Sequence, residues 1–407
     1  MKTIFRSVAL VILASLSSLA AGCRATPENG EAGDSQESDL NSCAAGATGD
    51  HYEFLDDVCH KKRAPSRQDR AWSCPNVAAS AGAYEPSSAP ITVDADALRG
   101  IVPNDMRMTV VLVRRVGDVP YYRYLSNGTH DVAVEPLSAT KFMAVANAAT
   151  RIRAASNGEV GLDSTTSGVP VGDLVTVITS YEEQRFSSNG LARYFHDVGG
   201  RTHANALIHD WLHRPASETF GGNYGAPAAD LGFAFQGAGA SASVTPDRAG
   251  FYANHLSTQT MAEFTKRLAL HREDAATRLP GIQWKDLEVL FYGAATSKLF
   301  PGKPLGGMSA DTAIYVQQGI DMAALEARSQ GNWRIFSKLG FGESGFVHNS
   351  YTCAPSLDAQ GAPIAGAGVE LVISMQSPRA GSERAQDAAI AKVYRDVVAR
   401  IVDHRIE

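Results

Sequence analysis

The segment Pro136-Leu137-Ser138-Ala139-Thr140-Lys141 opens a predicted helix and carries the first of three short motifs in this 407-residue chain. Pro136 suits the first position of a helix. Apolar side chains then recur at helical spacing, at Phe142, Val145, Ala149 and Ile152. Because Ser138 and Lys141 are three residues apart, a helix brings the hydroxyl and the amine to one face.

A serine and a lysine on one helix face can form a nucleophile and its base. A serine hydroxyl is a weak nucleophile until a neighbouring base removes its proton. Lysine can be that base where burial and nearby positive charge disfavour its charged form. Ser138 also lies near the helix start, where unpaired N–H groups favour developing negative charge. The alternative is an exposed pair on an ordinary helix, since S-x-x-K arises about once by chance in a chain of this length.

Two further motifs follow, and their order gives the first its meaning. Ser187-Ser188-Asn189, an S-x-N motif, comes between the strand-like segment Val175–Thr179 and a helix. A hydroxyl there can relay a proton and an asparagine can bind a substrate amide, although both residue types also favour helix N-caps. Lys338-Leu339-Gly340, a K-x-G motif, ends a strand, where lysine supplies charge for a carboxylate. Its alternative is an exposed edge lysine before a glycine turn.

The hydrophobic pattern predicts an α+β body whose sheet is built from both chain ends. The predicted strands are Met108–Val113, Val119–Leu125, Trp333–Lys338 and Val369–Ser374. The predicted helices include 191–213, 257–271 and 388–401. The glycine-rich stretch 220–242 is predicted to be a loop.

In the order and spacing of these three motifs, residues 92–407 resemble the class A β-lactamase-like catalytic domain of the serine β-lactamases and D,D-peptidases. Asn254–Ala262 also resembles the family segment Asn-x-x-Ser/Thr-x-x-x-Met, and the glycine rhythm after Lys338 is similar to the family's. The resemblance implies a β-lactamase/transpeptidase-like fold. In that fold an antiparallel sheet from both chain ends is flanked by helices and accompanied by an all-helical subdomain.

The resemblance also implies a role for each motif residue. Ser138 would be the acylated nucleophile, Lys141 its base and Ser187 the proton shuttle. The implied substrate-binding residues are Asn189, Lys338, Gly340 and Phe341. The backbone N–H groups of Ser138 and Phe341 would form the oxyanion hole. The substrate would be a small-molecule β-lactam or the D-Ala-D-Ala end of a peptidoglycan stem peptide, with no cofactor and no metal.

Some positions depart from the family pattern. Class A β-lactamases carry a Glu-x-x-x-Asn motif whose glutamate activates the deacylating water, and Glu218–Asn223 is one residue too long for it. Leu339 stands where a threonine or serine would meet the substrate carboxylate. β-Lactamase-like hydrolysis through acyl-Ser138 is the expected function. The alternatives are a D,D-peptidase and a non-catalytic cell-envelope lipoprotein on the same fold.

Residues 1–22 are predicted to be a secretory signal peptide, with a positively charged start, the apolar run Val8–Ala14 and then small residues. Leu19-Ala20-Ala21-Gly22-Cys23 resembles a bacterial lipobox. Lipid attached at Cys23 would then anchor an exported protein to a membrane of the cell envelope. A plain signal peptide cleaved nearby is the alternative.

Residues 23–50 are polar and acidic, which predicts a tether, and residues 51–91 form a cysteine-bearing extension before the catalytic domain. An exported chain with an even number of remaining cysteines is expected to form two disulfides of open pairing. These candidates are Cys43, Cys59, Cys74 and Cys353. Since only the last lies far downstream, at least one bridge should tie the N-terminal segment to the catalytic body.

Composition excludes some classes of function. A net charge of -6 and a pI near 6.0 do not fit a nucleic-acid-binding protein, which needs a basic face. His209 and His213 have the i, i+4 spacing of a zinc helix, but Asp210 stands where the zinc-protease motif needs glutamate and no third ligand is evident. No metal site is therefore expected, and the oligomeric state stays open.

Overall fold

The computed structural model describes residues 74, 76–180, 185–248, 251–294, 297–299, 307–309, 333–342, 344–358, 360, 363–378 and 383–406. The predicted signal peptide, the tether, and Cys23, Cys43 and Cys59 lie outside these residues, as does most of the predicted extension. Among the described helices, none combines the length and the apolar character needed to cross a membrane.

A large, mainly antiparallel sheet forms the core of the described residues. Its strands are β1 (Glu85–Pro86), β2 (Val93–Asp94), β3 (Arg107–Val116), β4 (Val119–Ser126), β9 (Arg334–Gly342), β10 (Gly345–Leu357) and β11 (Pro363–Pro378). The order is β1-β4-β3-β11-β10-β9, and β2 pairs in parallel with β4. Because β11 pairs with β3, the two chain ends meet in the middle of the sheet. The predicted α+β class and the sheet built from both chain ends are confirmed.

Helices cover both faces of this sheet. They are α1 (Lys141–Ala154), α2 (Val171–Ser180), α3 (Ser188–Gly199), α4 (Arg201–Ala206), α5 (Thr258–Ala269), α6 (Trp284–Tyr292) and α7 (Glu383–Val402). Strand alternation sorts the sheet residues between two cores. Tyr351 and Val372 pack with the helical body of α1–α6, whereas Ile373 packs with Ile390 and Tyr394 of α7. The helical body also holds a small sheet of order β6-β5-β7-β8, made of Thr165–Thr166 (β5), Val169–Pro170 (β6), Ala234–Gln236 (β7) and Ser241–Ser243 (β8).

The segment Val175–Thr179 is helical, and its assignment as a strand from the sequence was wrong. It belongs to α2, where Thr179 donates a side-chain hydrogen bond to the Val175 carbonyl at 2.9 Å. β-Branched residues favour strands where a pleated surface receives them. Here the segment is buried among the other helices, so tertiary packing outweighs the local preference.

Two predicted elements are interrupted. The helix predicted at 191–213 breaks after Gly199, because Gly200 has φ +77° and starts a new segment, α4. A single π-helical turn, Leu207–Trp211, follows it. The predicted loop 220–242 is mostly irregular, but it contains β7 and ends within the paired strand β8.

A disulfide between Cys74 and Cys353 joins the start of the described chain to β10, at a sequence separation of 279. This confirms the predicted bridge between the N-terminal segment and the α+β body. The residues after Cys74 also join the sheet, since Val77 bridges to Arg115 and β1 pairs with β4.

Candidate active site

The first motif occupies a tight turn that leads into a helix. Leu137–Thr140 forms a 3-10 turn, and α1 continues from Lys141. Ser138 is 3% exposed and Lys141 is fully buried. Leu137 has φ +52°, a left-handed conformation that is unfavourable for a residue with a side chain. The nucleophile candidate therefore follows a strained residue that its surroundings must hold in place.

The second motif meets the first through Ser188, not through Ser187. The Lys141 ammonium nitrogen donates to the Ser188 hydroxyl at 3.0 Å, and Ser188 is fully buried. Ser187 is exposed and caps α3, because its hydroxyl accepts a bond from the Gly190 amide at 3.1 Å. The contact predicted for Ser187 thus belongs to its neighbour. An N-cap side chain turns back onto its own helix, and the next residue projects towards α1.

The third motif lies on the edge strand β9 of the described sheet. Lys338 is fully buried and, by strand alternation, faces the helical body together with Phe336 and Gly340. Leu339 points to the opposite face and packs in the core that includes α7. The side chain at position 339 is therefore turned away from the face that carries Lys338.

Gly340 brings β9 into contact with the first motif. A methyl group on Gly340 would lie 2.7 Å from the Ser138 amide nitrogen and 2.6 Å from that of Ala139. A methyl group on Gly342 would lie 2.7 Å from a terminal carbon of Leu137. The two glycines thus form a slot on β9 that receives the Leu137–Thr140 turn.

The Phe341 N–H group points along the outer edge of β9. The Ser337 amide donates to the Met308 carbonyl at 3.0 Å, so it points away from β10. Since amide directions alternate along an antiparallel strand, the Phe341 amide has the same direction. Its nitrogen is bonded to Gly340, the residue against which the Ser138 amide packs. The two predicted oxyanion donors therefore belong to neighbouring backbone positions.

Two buried asparagines lie at these motifs, one within the second motif and one opposite the third. Asn189 is 2% exposed and follows Ser188 in the first turn of α3. Asn349 lies opposite Lys338 on β10, and its side-chain amide donates to the Ala139 carbonyl at 3.1 Å. Asn349 was not predicted from the sequence, because its position beside the turn follows from strand register rather than from a local motif.

Glu218, the glutamate of the imperfect family motif, is committed to a structural network. It is fully buried, accepts from the Ser257 amide at 2.9 Å and lies 2.9 Å from the Arg214 guanidinium. It also accepts from the hydroxyls of Ser257 and Thr260. Ser257 is the N-cap of α5. Glu218 thus holds the start of α5, the helix that begins in the family-like segment Asn254–Ala262.

The loop that follows Glu218 places an aromatic side chain beside Lys141. The Lys141 ammonium nitrogen lies 5.9 Å from the ring centroid of Tyr224, within the range of a cation–π contact. The Tyr224 hydroxyl lies 3.3 Å from that of Thr140 and 3.5 Å from Nε2 of His196. Burial, with a smaller contribution from Arg201, lowers the pKa of His196 to about 3, so its imidazole is neutral. No sequence motif marked this tyrosine or this histidine.

The two histidines with zinc-helix spacing lie apart from the three motifs in the fold. His209 uses Nε2 to bond the Glu218 carbonyl at 2.8 Å. His213 is exposed and has φ +55°, so it lies outside the helical turn that carries His209. Within the described parts of the chain, no three His, Cys, Asp or Glu side chains are grouped as a metal site.

No protein-family model and no curated protein matches the chain. Among solved structures, it is similar to the class A β-lactamase of the last common ancestor of Gram-negative bacteria, with 15% identity, a TM-score of 0.41, and coverage of 73% of this chain and 93% of that one. It is also similar to a β-lactamase from Burkholderia ambifaria, with 13% identity, a TM-score of 0.42, and coverage of 73% of this chain and 94% of that one. A β-lactamase from Sphaerobacter thermophilus is similar with 13% identity, a TM-score of 0.37, and coverage of 72% of this chain and 89% of that one. Similarities with identities and TM-scores this low do not indicate a function for this chain.

Proposed function

We propose that the protein is a serine hydrolase of the penicillin-recognising type, which forms an acyl-Ser138 intermediate with an amide or lactam substrate that bears a carboxylate. One observation carries the proposal. The buried Lys141 amine contacts Ser188, and Lys141 lies on the same turn-and-helix segment that places Ser138 against Gly340. Three motifs separated by long stretches of chain thus come into contact with one another.

The chemistry of acylation follows from these positions. Lys141 takes the Ser138 hydroxyl proton while Oγ attacks the substrate carbonyl carbon. The backbone N–H groups of Ser138 and Phe341 stabilise the resulting oxyanion. Ser188 then passes a proton from Lys141 to the leaving nitrogen, the C–N bond breaks, and an ester to Ser138 remains. Lys338 supplies the positive charge for the substrate carboxylate.

Deacylation lacks the expected carboxylate base. Glu218 is held by Arg214 and the start of α5, so it does not serve to activate a water molecule at the ester. We therefore expect acylation by a β-lactam to be followed by slow hydrolysis. The same feature favours a second candidate function, a D,D-peptidase acting on peptidoglycan stem peptides, because in such an enzyme a lactam adduct persists.

Intact-protein mass spectrometry after exposure to benzylpenicillin tests the proposal. We expect the mass to rise by one penicillin in the wild type and to stay unchanged in Ser138→Ala. Turnover of a chromogenic cephalosporin on the same samples separates a hydrolysing enzyme from a slowly deacylating one. An unmodified wild-type protein, with several β-lactams and ester substrates, would instead support a non-catalytic envelope protein.

We also propose that the protein is exported and anchored through lipid at Cys23. The Cys74–Cys353 disulfide supports export, because such bonds persist mainly outside the reducing cytoplasm. Metabolic labelling with a fatty acid should mark the wild type and not Cys23→Ser. Label retained in that variant, or a mature protein without a lipid-sized mass increment, would contradict the anchor.

A further inference from the structure

Tyr224 links the loop after Glu218 to the turn that carries Ser138. The Tyr224 hydroxyl is 3.3 Å from the Thr140 hydroxyl, which donates to the Leu137 carbonyl at 3.3 Å. Leu137 is the strained residue with φ +52° directly before Ser138. The contact therefore reaches the backbone whose conformation sets the direction of the Ser138 hydroxyl and amide.

His196 determines which hydroxyl donates and which accepts in the hydrogen bonds between Tyr224 and Thr140. Its imidazole is fully buried between Phe220, with ring centroids 4.3 Å apart, and Tyr224. Within the described residues Nδ1 of His196 has no hydrogen-bond partner, whereas Nε2 faces the Tyr224 hydroxyl at 3.5 Å. An orphaned N–H is costlier than an orphaned lone pair, so the proton belongs on Nε2. The phenol accepts from His196 and is left to donate to Thr140.

The loop is built to keep the imidazole in place. A methyl group on Gly222 would lie 2.6 Å from the His196 ring, so the loop backbone packs directly on the imidazole. The Gly222 amide donates to the Asn254 side chain at 2.8 Å, which fixes the loop to the segment before α5. A closely packed and neutral imidazole is a rigid anchor for a phenol.

We propose that Tyr224, anchored by His196, is a positioning residue for acylation: through Thr140 it holds the strained Leu137–Thr140 turn so that Ser138 faces the substrate. The inference rests on the proposed function. The role proposed for Tyr224 differs from that of a deacylating glutamate. The series of hydrogen bonds from His196 through Tyr224 and Thr140 ends on the Leu137 carbonyl, whereas a deacylating glutamate bonds a water molecule. Left-handed strain at a residue with a side chain persists only where several contacts hold it, and this chain supplies one of them.

Tyr224→Phe tests the inference, because it keeps the ring beside Lys141 and removes only the hydroxyl. Tyr194→Phe is the matched control, since the buried Tyr194 hydroxyl anchors the same loop by donating to the Gly232 carbonyl at 2.7 Å. We expect Tyr224→Phe to lower the maximal acylation rate constant about tenfold, with the dissociation constant of the non-covalent penicillin complex unchanged. Tyr194→Phe should acylate like the wild type.

A second substitution keeps the result from depending on one variant. His196→Phe removes the Nε2 proton, and the His196→Phe/Tyr224→Phe double variant should be no slower than the slower single variant, since both lie in one chain. His196→Gln retains an N–H donor and should recover part of the rate. Equal acylation rates in the wild type and Tyr224→Phe would overturn the inference alone. A wild type that never forms the Ser138 adduct would overturn the proposed function, and the inference with it.

Discussion

At the scale of single residues, the two adjacent serines Ser187 and Ser188 perform different work. Ser187 is exposed and bonds its own helix at Gly190, whereas Ser188 is buried against Lys141. One backbone step separates a surface cap from a group that can carry a proton into the pocket. Single substitutions at the two positions can therefore separate an effect on the acylation rate from an effect on the free energy of unfolding.

We predict that Ser188→Ala lowers the acylation rate constant at least a hundredfold, the usual effect of losing a proton-transfer group. Ser187→Ala should leave acylation unchanged and lower the free energy of unfolding by about 1 kcal/mol, because it removes an N-cap. Rapid-mixing measurements with a fluorescent penicillin and urea unfolding would give the two quantities. The reverse outcome, with Ser187→Ala as the inactive variant, would return the proton-shuttle role to Ser187.

Ser187 was predicted from the sequence to be the proton shuttle, but the hydroxyl that contacts Lys141 belongs to Ser188. The S-x-N pattern specifies residue types and not side-chain directions, so either serine of Ser187-Ser188-Asn189 can supply the hydroxyl. Only the capping bond from Gly190 decides which side chain turns outward. Asn349, Tyr224 and His196 had no local signal at all. Their places depend on strand register and on loop packing, which a single sequence does not contain.

At the scale of elements, β9 fits against the Leu137–Thr140 turn because two of its residues lack side chains. Gly340 and Gly342 both face the turn, while Phe341 between them points into the opposite core. The glycine of the K-x-G pattern is therefore required by packing. A side chain at position 340 would have to displace backbone atoms, which cannot rotate away as a flexible side chain can.

Gly340→Ala should reduce acylation of Ser138 at least tenfold, because a shift of about 1 Å in a reacting group already has a large effect on rate. The control is Gly237→Ala, where the added methyl group would meet its nearest neighbour, Val160, at 3.4 Å, an ordinary contact. That variant should acylate at the wild-type rate. Mass spectrometry at timed intervals after mixing with penicillin measures both. Undiminished acylation in Gly340→Ala would contradict the close contact between β9 and the turn.

Glu218 and α5 form a second pair of linked elements. We predict that Glu218→Gln lowers the free energy of unfolding by about 3 kcal/mol, because the partly buried Arg214 guanidinium loses its partner charge. The lifetime of the penicillin adduct on Ser138 should stay the same. Thermal unfolding and decay of the adduct mass provide the measurements. A longer adduct lifetime in Glu218→Gln would assign Glu218 to deacylation after all.

The α2 helix shows where local pattern fails at this scale. Its sequence is rich in β-branched residues, and a short apolar run cannot be distinguished from a buried strand by periodicity. Four strands of the large sheet, β3, β4, β9 and β11, were predicted from their β-rich composition, whereas the long strand β10 was not predicted. The pairing of β11 with β3 was expected only in outline, since register between distant segments depends on the whole core.

At the scale of the whole molecule, buried neutral histidines make stability depend on pH. Burial lowers the pKa of His196 and of His348 to about 3, and that of His271 to about 4, with Arg278 adding to the effect at His271. The unfolded chain binds these protons near pH 6.5 and the folded chain does not. Below pH 6.5 the unfolded state is therefore increasingly favoured, and each histidine contributes about 1.4 kcal/mol per pH unit.

The free energy of unfolding should therefore fall steadily from pH 6.5 to pH 5. The carboxylate of Glu263, whose pKa is lowered to about 2 by Lys266 and Arg267 despite the opposing effect of burial, adds its own loss only at lower pH. Urea unfolding at intervals across this window measures the slope for the wild type and for His348→Phe. We expect a shallower slope in the variant. Identical slopes would mean that His348 titrates normally in the folded protein.

The disulfide between Cys74 and β10 determines how mechanical load enters the molecule. A pull applied from the N-terminal side of Cys74 passes through the sulfur bridge to Cys353, a central residue of β10. The short strands β1 and β2 come after Cys74 and so stay outside the path of the force. They are held by few backbone hydrogen bonds and would otherwise peel away one after another. Traction on the leading segment is thus borne by the long strands of the sheet.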